Sequence, residues 1–503
     1  MRAEYPVRGE SLFTASAACV ILVASLSGCA TFKTLTRPEG DGGWSKARRG
    51  QEIARRAAAA SVSLGGSPAR AGNTTTPEGP LDLAAVLDLA RNRSHRVREA
   101  ERRLDAARER VAGARGRLLP STIASGRYSW YSDEQTNQVD LPPQAIEQLG
   151  GTPPTVRVRE AELGAVNATV NLPLDFSGEI LQLLHAAQAG YRGERARLWA
   201  TTLEQQTRAV RAYFDLLEGQ RLRDVTEQTI ALNRQQLADA DARFSAGRVT
   251  RNEVLVVQVA LRDTEQRLVQ QELAIDRARW TLNQTIGLPV DAPTQLVDVT
   301  VRPTLPPIDE VLRLAYSNNP LLLSLQEEQQ RLEATTSSLA RSRLPRFSAG
   351  GAIDYSTSDL LQPQEIGSGF VGFNWDLGTD TRRESQIAEA LIAAGENRLR
   401  IEGHLRELEE ALLFTHRAAE ERLAALDAAG AAVGQAEENL RIRREQFRAG
   451  RAASEDVLDA EALLAAQRST LASALYQAHM RRADLQQLMG CEIDAPAQSK
   501  DSR

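Results

Sequence analysis

Residues 243–255 read Arg-Phe-Ser-Ala-Gly-Arg-Val-Thr-Arg-Asn-Glu-Val-Leu, and residues 446–458 read Gln-Phe-Arg-Ala-Gly-Arg-Ala-Ala-Ser-Glu-Asp-Val-Leu. Both stretches contain Phe-x-Ala-Gly-Arg, and both continue to an acidic residue followed by Val-Leu. Glycine readily adopts the left-handed backbone conformation in which many helices end. The two stretches therefore predict two sharp turns between helices, at residues 246–248 and 449–451.

The segments that flank these turns are long and free of proline. No proline occurs between residues 174 and 288 or between residues 364 and 495, so both stretches permit unbroken helices. Apolar residues recur there at helical spacing, as in Val210, Tyr213, Phe214 and Leu217. A helix over 177–245 would be roughly 100 Å long. A compact domain does not accommodate such a helix, so the pattern predicts a coiled coil or a tube of helices.

Most of the chain, over about residues 81–490, is an internal duplication. Leu119-Pro120 aligns with Leu344-Pro345, and Asp175-Phe176-Ser177 aligns with Asp376-Leu377-Gly378. Each copy is predicted to run helix, strand, loop, strand, very long helix, turn, long helix. The spacing differs at one loop, which is long in the first copy (about 132–163) and short in the second (about 357–368). We place the copies at 81–288 and 308–490, joined by a Pro-rich linker at 289–307 and followed by a tail at 491–503.

Three of the four predicted strand segments alternate between apolar and polar residues, as a strand with two different faces requires. The apolar sets are Val166, Ala168, Val170, Leu172 and Leu174; Phe347, Ala349, Gly351, Ile353 and Tyr355; and Val371, Phe373, Trp375 and Leu377. Alternation over about ten residues is typical of a membrane β-barrel. A half-buried soluble sheet is the competing interpretation. Four strands cannot close a wide barrel, so a barrel would need several chains.

The N-terminus predicts secretion and lipid attachment. Arg2 and Arg8 precede an apolar stretch that is long enough for a signal peptide and too short for a membrane span. Leu26-Ser27-Gly28-Cys29 follows and resembles the bacterial lipobox. We therefore predict a lipoprotein signal peptide at 1–28, acylation of Cys29, and a tether at 29–80. An ordinary cleaved signal peptide is the alternative.

Composition excludes several classes of function. The formal net charge of −5 gives no basic field for nucleic acid. The sequence has no Gly-rich phosphate loop, nucleophile elbow or metal-ligand spacing, which predicts neither an enzyme nor a cofactor or metal site. The histidines are expected to be surface residues: His95, His185, His404, His416 and His479. The aromatic residues of the strands form either membrane-interface girdles or ordinary core: Tyr128, Trp130, Tyr131, Tyr355 and Trp375.

The paired turns, long hairpins and strand pairs together resemble the TolC-type outer-membrane factor family over about residues 81–490. The resemblance implies a mainly α fold with a small β part, in which a homotrimer forms a periplasmic helical tunnel and a twelve-stranded transmembrane barrel. It implies an outer-membrane channel of a tripartite efflux or type I export system, with a periplasmic adaptor and an inner-membrane transporter as partners. A periplasmic coiled-coil lipoprotein without a pore is the alternative function. The sequence does not identify the transported substrate.

Two groups of site residues follow from this resemblance. Asp456 and Asp459, with Glu253 as the matching acid of the first copy, correspond to a ring of carboxylates at the periplasmic constriction. Asp456 and Asp459 are three residues apart, so a helix places them on one face. The competing interpretation is a solvated pair of acids near a helix N-terminus. The turns correspond to the adaptor contact or serve only as helix caps: Ala246, Gly247, Arg248, Ala449, Gly450 and Arg451.

Overall fold

The computed structural model describes residues 79–139, 141–142, 146, 155–247, 249–360, 362–377, 381–449, 451–452 and 454–494. The predicted signal peptide, Cys29 and almost all of the predicted tether lie outside the described residues. Arg248 and Gly450, two of the predicted turn residues, also lie outside them.

The helices come in matched pairs from the two copies. In chain order they are α1 (Leu83–Arg93), α2 (His95–Gly116), α3 (Glu179–Ser245), α4 (Arg251–Ile286), α5 (Ile308–Asn318), α6 (Pro320–Arg341), α7 (Thr381–Arg448) and α8 (Ser454–Met489). The long pair α3 and α7 has 67 and 68 residues, and α4 and α8 have 36 each. Each long helix is therefore about 100 Å long, which confirms the predicted length.

Among the described helices, none is both long enough and apolar enough to cross a lipid bilayer.

The structure splits each predicted first helix in two. The breaks fall at Ser94 and at Asn319, whose backbones leave the helical region. At the second break, Pro320 disfavours a helical conformation at Asn319, and the Asn319 side chain accepts a hydrogen bond from the Leu322 amide at 2.9 Å. The sequence analysis missed both breaks, although Pro320 was an available signal for the second; the first break has no proline.

The strands are β1 (Ser121–Trp130), β2 (Gln135–Gln138), β3 (Thr155–Arg159), β4 (Glu162–Leu174), β5 (Arg346–Ser356) and β6 (Glu365–Asn374). Four of them form one antiparallel sheet in the order β1-β4-β5-β6. The other two, β2 and β3, pair with each other inside the long loop of the first copy, where only a loop was predicted. The second copy has no room for such a hairpin between β5 and β6.

The register of the sheet gathers the predicted apolar residues on one face. Leu174 opposes Phe347, which opposes Phe373. Further along, Val170 opposes Gly351, and the same row continues to Thr122 of β1. Directly opposed residues of antiparallel strands share a face, so the predicted alternation is confirmed across β4, β5 and β6.

The helices pack most tightly halfway along their length, where the linker crosses them. Tyr213 and Phe214 are fully buried there with edge-to-face rings, and Phe214 stacks on Tyr476 with ring centroids 5.7 Å apart. Tyr213 donates a hydrogen bond to the Val297 carbonyl, and Tyr476 donates one to Asp298 at 2.8 Å. Aromatic residues from both copies thus hold the linker against the helices, through the Val297 carbonyl and the Asp298 carboxylate. Truncating a buried ring of this kind costs about 3–5 kcal/mol.

The expectation that the histidines lie on the surface is wrong for His416 and His479. Both are buried, and each Nε2 contacts a carbonyl of the linker region, Pro306 at 3.0 Å and Val301 at 2.8 Å. A carbonyl only accepts, so each Nε2 carries the proton and donates. His479 also stacks on Phe214. Burial lowers the pKa of His479 below its usual value, against the opposing effect of the Val301 hydrogen bond.

Candidate functional site

The hairpin tip of the first copy has the geometry that its sequence predicts. The Ala246 amide donates to the Ala242 carbonyl at 3.1 Å, and the Gly247 amide donates to the Phe244 carbonyl at 2.9 Å. Gly247 has a φ of 70°, in the left-handed region, and a Cβ there would meet no neighbouring atom. Backbone conformation, and not space, is therefore what favours glycine at this turn.

The second tip is built in the same way as far as it is described. The Ala449 amide donates to Glu445 at 3.0 Å, and the Arg451 amide donates to Gln446 at 2.8 Å. The two tips also touch each other. The guanidinium of Arg243 lies 4.1 Å from the ring centroid of Phe447, a cation–π contact between the two copies.

The predicted acidic residues begin the two returning helices. Glu253 and Asp456 are each the third residue of their helix, α4 and α8, where the positive end of the helix dipole favours a carboxylate. Asp456 lies 3.8 Å from Arg443 of α7, which partly compensates its charge. Asp459 follows one turn later and is exposed, so it presents the more accessible carboxylate of the pair.

Glu461 is an acidic residue of this region that the sequence reading missed. Its side chain is only 4% exposed and accepts hydrogen bonds from Arg444 at 2.9 Å and from Gln236 at 2.8 Å. Gln236 belongs to the first copy, so Glu461 joins the two hairpins. The available signal was its spacing: Glu461 falls between Val457 and Leu464, on the apolar face of α8.

The sheet presents two chemically different faces. On the polar face, Asn167 donates to Asp354 at 2.6 Å and Thr169 donates to Asn167 at 2.8 Å. On the apolar face, aromatic residues gather at both ends. Tyr128 and Trp130 are exposed at one end, and Phe347, Phe373 and Trp375 lie at the other.

All five aromatic residues singled out from the sequence are more than a third exposed, and Trp130 reaches 76%. They are therefore not core residues of a single chain, and girdle positions remain the interpretation that fits those on the apolar face. Within the described residues, no group of three or more His, Cys, Asp or Glu side chains is arranged to hold a metal ion.

Long paired helical hairpins that carry an open sheet with one apolar face define a channel-type membrane protein. The family model for outer membrane efflux proteins matches residues 86–288 and 311–491. The chain therefore belongs to the outer membrane efflux protein family, and it is an outer-membrane channel component of efflux systems. The resemblance to TolC-type proteins is confirmed, as is the mainly α fold with its internal duplication. No match is found among curated protein sequences.

Solved structures of bacterial channels share this fold. The outer membrane protein VceC of Vibrio cholerae is 17% identical, with a TM-score of 0.67 over 82% of this chain and 97% of that one. The CmeC outer membrane channel of Campylobacter jejuni is 15% identical, with a TM-score of 0.68 over 81% and 85% of the two chains. For the open state of the Neisseria gonorrhoeae MtrE channel the values are 16%, 0.66, 83% and 91%.

Removing the buried carboxylate of Glu461 is expected to loosen the second hairpin tip. Glu461→Ala leaves Arg444 and Gln236 without their acceptor, at a cost of about 2 kcal/mol. Hydrogen–deuterium exchange of peptides from residues 430–470 should accelerate accordingly. Asp459→Ala removes an exposed carboxylate from the same helix and serves as the control. Equal exchange rates in the two variants would show that the buried contacts do not stabilise the tip.

Proposed function

We propose that three copies of this chain form one continuous duct, which gives substrates a passive exit from a periplasmic adaptor and an inner-membrane transporter to the outside. The observation that carries the proposal is the open four-stranded sheet with one apolar face, mounted on helical hairpins about 100 Å long. A coiled-coil lipoprotein without a pore would have no use for such a sheet. The same architecture supports a conduit.

The sheet needs other copies because its edges are open. Strands β1 and β6 are the outer strands, and each has an unpaired row of backbone groups within one chain. In lipid, unpaired backbone groups are too costly to persist, so the sheet must continue into a closed barrel. Pairing β6 of one chain with β1 of the next joins three sheets into twelve strands. The apolar face would then meet lipid, and the row of Asn167 and Asp354 would face the lumen.

The helices suggest the same continuation. The α3 helix packs against α4 and α8, and α8 packs against α7. The packing order of these four helices is therefore α4, α3, α8, α7. Long and short helices thus alternate, and α4 has a long neighbour on one side only. The α7 helix of a second copy would supply the missing neighbour and close the ring.

The open side of α4 has the chemistry of an interface. Large apolar side chains form an exposed stripe along it: Leu255, Val259, Val269, Leu273 and Trp280. Asn233 contacts Thr264, so these two residues lie at the same level along α3 and α4. Because α7 corresponds to α3 in the duplication, the same pairing shows which part of α7 would lie level with each residue of α4. At the level of Leu273, α7 exposes small side chains that leave room for large ones: Ala424, Ala428 and Ala431.

A charge on this stripe is expected to weaken assembly. Leu273→Asp removes apolar burial from each interface, which should cost about 2 kcal/mol per interface. Native mass spectrometry in mild detergent should then show fewer trimers and more monomers. Ala274→Asp places the same charge on the adjacent exposed residue, outside the stripe, and should assemble normally. Equal trimer fractions in both variants would contradict the proposed interface.

We place the constriction of the duct at the tips, where Glu253, Asp456 and Asp459 lie near the helix starts. Three-fold repetition would bring these carboxylates together and make the narrowest part selective for cations. Because Arg443 partly compensates Asp456, we expect Asp459 to contribute more of the field.

Single-channel conductance in a planar bilayer tests the pore and its constriction. The wild-type trimer should give small, cation-selective steps. Asp456→Ala/Asp459→Ala should give larger steps, because side-chain bulk is removed from the constriction, and weaker cation selectivity, because the carboxylates that attract cations are lost. Asp263→Ala, on the middle of α4, is the matched control and should conduct like the wild type. Absence of conductance from folded trimers of every variant would favour the structural lipoprotein instead.

Two further assignments complete the proposal. Ala246, Gly247, Ala449 and Arg451, the described turn residues, lie between the paired helices of the hairpins. This supports the turns at 246–248 and 449–451 as the adaptor contact, and cross-linking from a cysteine placed at Ala246 tests it. The Leu26-Ser27-Gly28-Cys29 sequence supports acylation of Cys29 and attachment to outer-membrane lipid. The intact mass of the mature protein tests this second assignment.

A further inference from the structure

Both copies carry the same basic motif where a helix enters the sheet. Residues 115–118 read Arg-Gly-Arg-Leu at the end of α2, and residues 341–344 read Arg-Ser-Arg-Leu at the end of α6. A proline follows each motif within two residues, and the first strand of each copy begins directly after it. Each copy thus has two arginines within six residues of its entering strand.

The arginines of the two motifs differ in their partners. In the second copy, Arg341 donates to the Ser177 carbonyl at 3.2 Å and Arg343 forms an ion pair with Glu384. In the first copy, neither Arg115 nor Arg117 forms a side-chain hydrogen bond or an ion pair with any residue that the structure describes. Two guanidinium groups are therefore available to an external anion.

The register of the sheet shows at which depth these guanidinium groups lie. Ser121, the first residue of β1, opposes Asn171, so the arginines that precede β1 lie at the same end of the sheet as Leu174. Leu174 is level with Phe347, on which Phe176 packs with ring centroids 5.4 Å apart. The arginines thus lie just beyond the aromatic end of the apolar face, at the depth where lipid headgroups begin.

We propose that Arg115 and Arg117 bind the phosphate groups of anionic phospholipids in the periplasmic leaflet of the outer membrane. The proposal rests on the membrane placement of the sheet given under Proposed function. A guanidinium presents paired N–H donors that match two phosphate oxygens, and basic side chains beside an anionic lipid surface are attracted to it. The second copy does not bind lipid in this way, because its arginines are already engaged.

Two other uses of these arginines make different predictions. Basic side chains at the end of a helix stabilise it through the helix dipole, and a neighbouring protomer could offer carboxylates across the β1 edge. Both effects would be the same in every lipid, whereas headgroup binding depends on lipid charge.

The test measures lipid affinity of the full-length trimer by native mass spectrometry, with phosphatidylglycerol or phosphatidylcholine titrated into detergent solution. The test variant is Arg115→Gln/Arg117→Gln. The matched control is Arg108→Gln/Arg110→Gln, which removes two exposed arginines of the same helix about 10 Å further from the sheet. Arg115→Lys/Arg117→Lys retains the charge, and Arg117→Gln alone serves if the double variant does not assemble.

We expect the apparent affinity for phosphatidylglycerol to fall about 25-fold in the double Gln variant. The control should keep its affinity, the Lys variant should keep most of it, and phosphatidylcholine binding should not change. Unchanged phosphatidylglycerol affinity in the Gln variant, or an equal loss in the control, would overturn the proposal. So would a loss of trimers that is equal in both lipids. Conductance of the same preparations reports on the channel separately, so failure of the duct and failure of the lipid site are distinguishable.

Discussion

The rest of the structure depends on the open edges of a single four-stranded sheet. A sheet of this size cannot pair its own outer strands, and its apolar face cannot remain in water. Closing it requires more copies of the chain, and copies around an axis require helices that continue the same curvature below the sheet. The alternation of long and short helices would meet this demand, because each chain ends its helical layer with one short helix, α4, that has a long neighbour on one side only. The outer strands β1 and β6 and the open side of α4 would therefore both be covered by neighbouring copies of the chain.

The middle of the molecule keeps the hairpins in register. Phe214, Tyr476 and His479 pack face to face there, and the linker that joins the two copies is held by hydrogen bonds from both of them. This linker therefore does more than connect the copies, because its carbonyls provide acceptors that buried side chains require. Burial in the same arrangement lowers the pKa of His479 below its usual value.

Much of the architecture was predictable from sequence because it depends on local patterns. The long helix expected over 177–245 is observed over Glu179–Ser245, since a proline-free stretch with helical periodicity leaves few alternatives. Strand faces followed from alternation, and the Gly247 turn followed from its residue type. The break at Ser94 and the burial of His479 and Glu461 were not predictable in this way. Each depends on a partner far away in the sequence, such as Val301 or Gln236, that only the fold brings near.

The burial of Glu461 has a consequence for the symmetry of the assembly. The duplication places Gln258 at the position of the first copy that corresponds to Glu461, and Gln258 is exposed in the single chain. A ring of three chains would therefore show six hairpin tips of similar outline but of two chemical kinds, one with a buried carboxylate and one without. Because Glu461 is buried and paired with Arg444, the two kinds of tip would differ in the contacts that hold the hairpins together and not in exposed charge. Duplication followed by divergence would thus give the ring two alternating kinds of tip, which differ in their internal contacts although their outlines are similar.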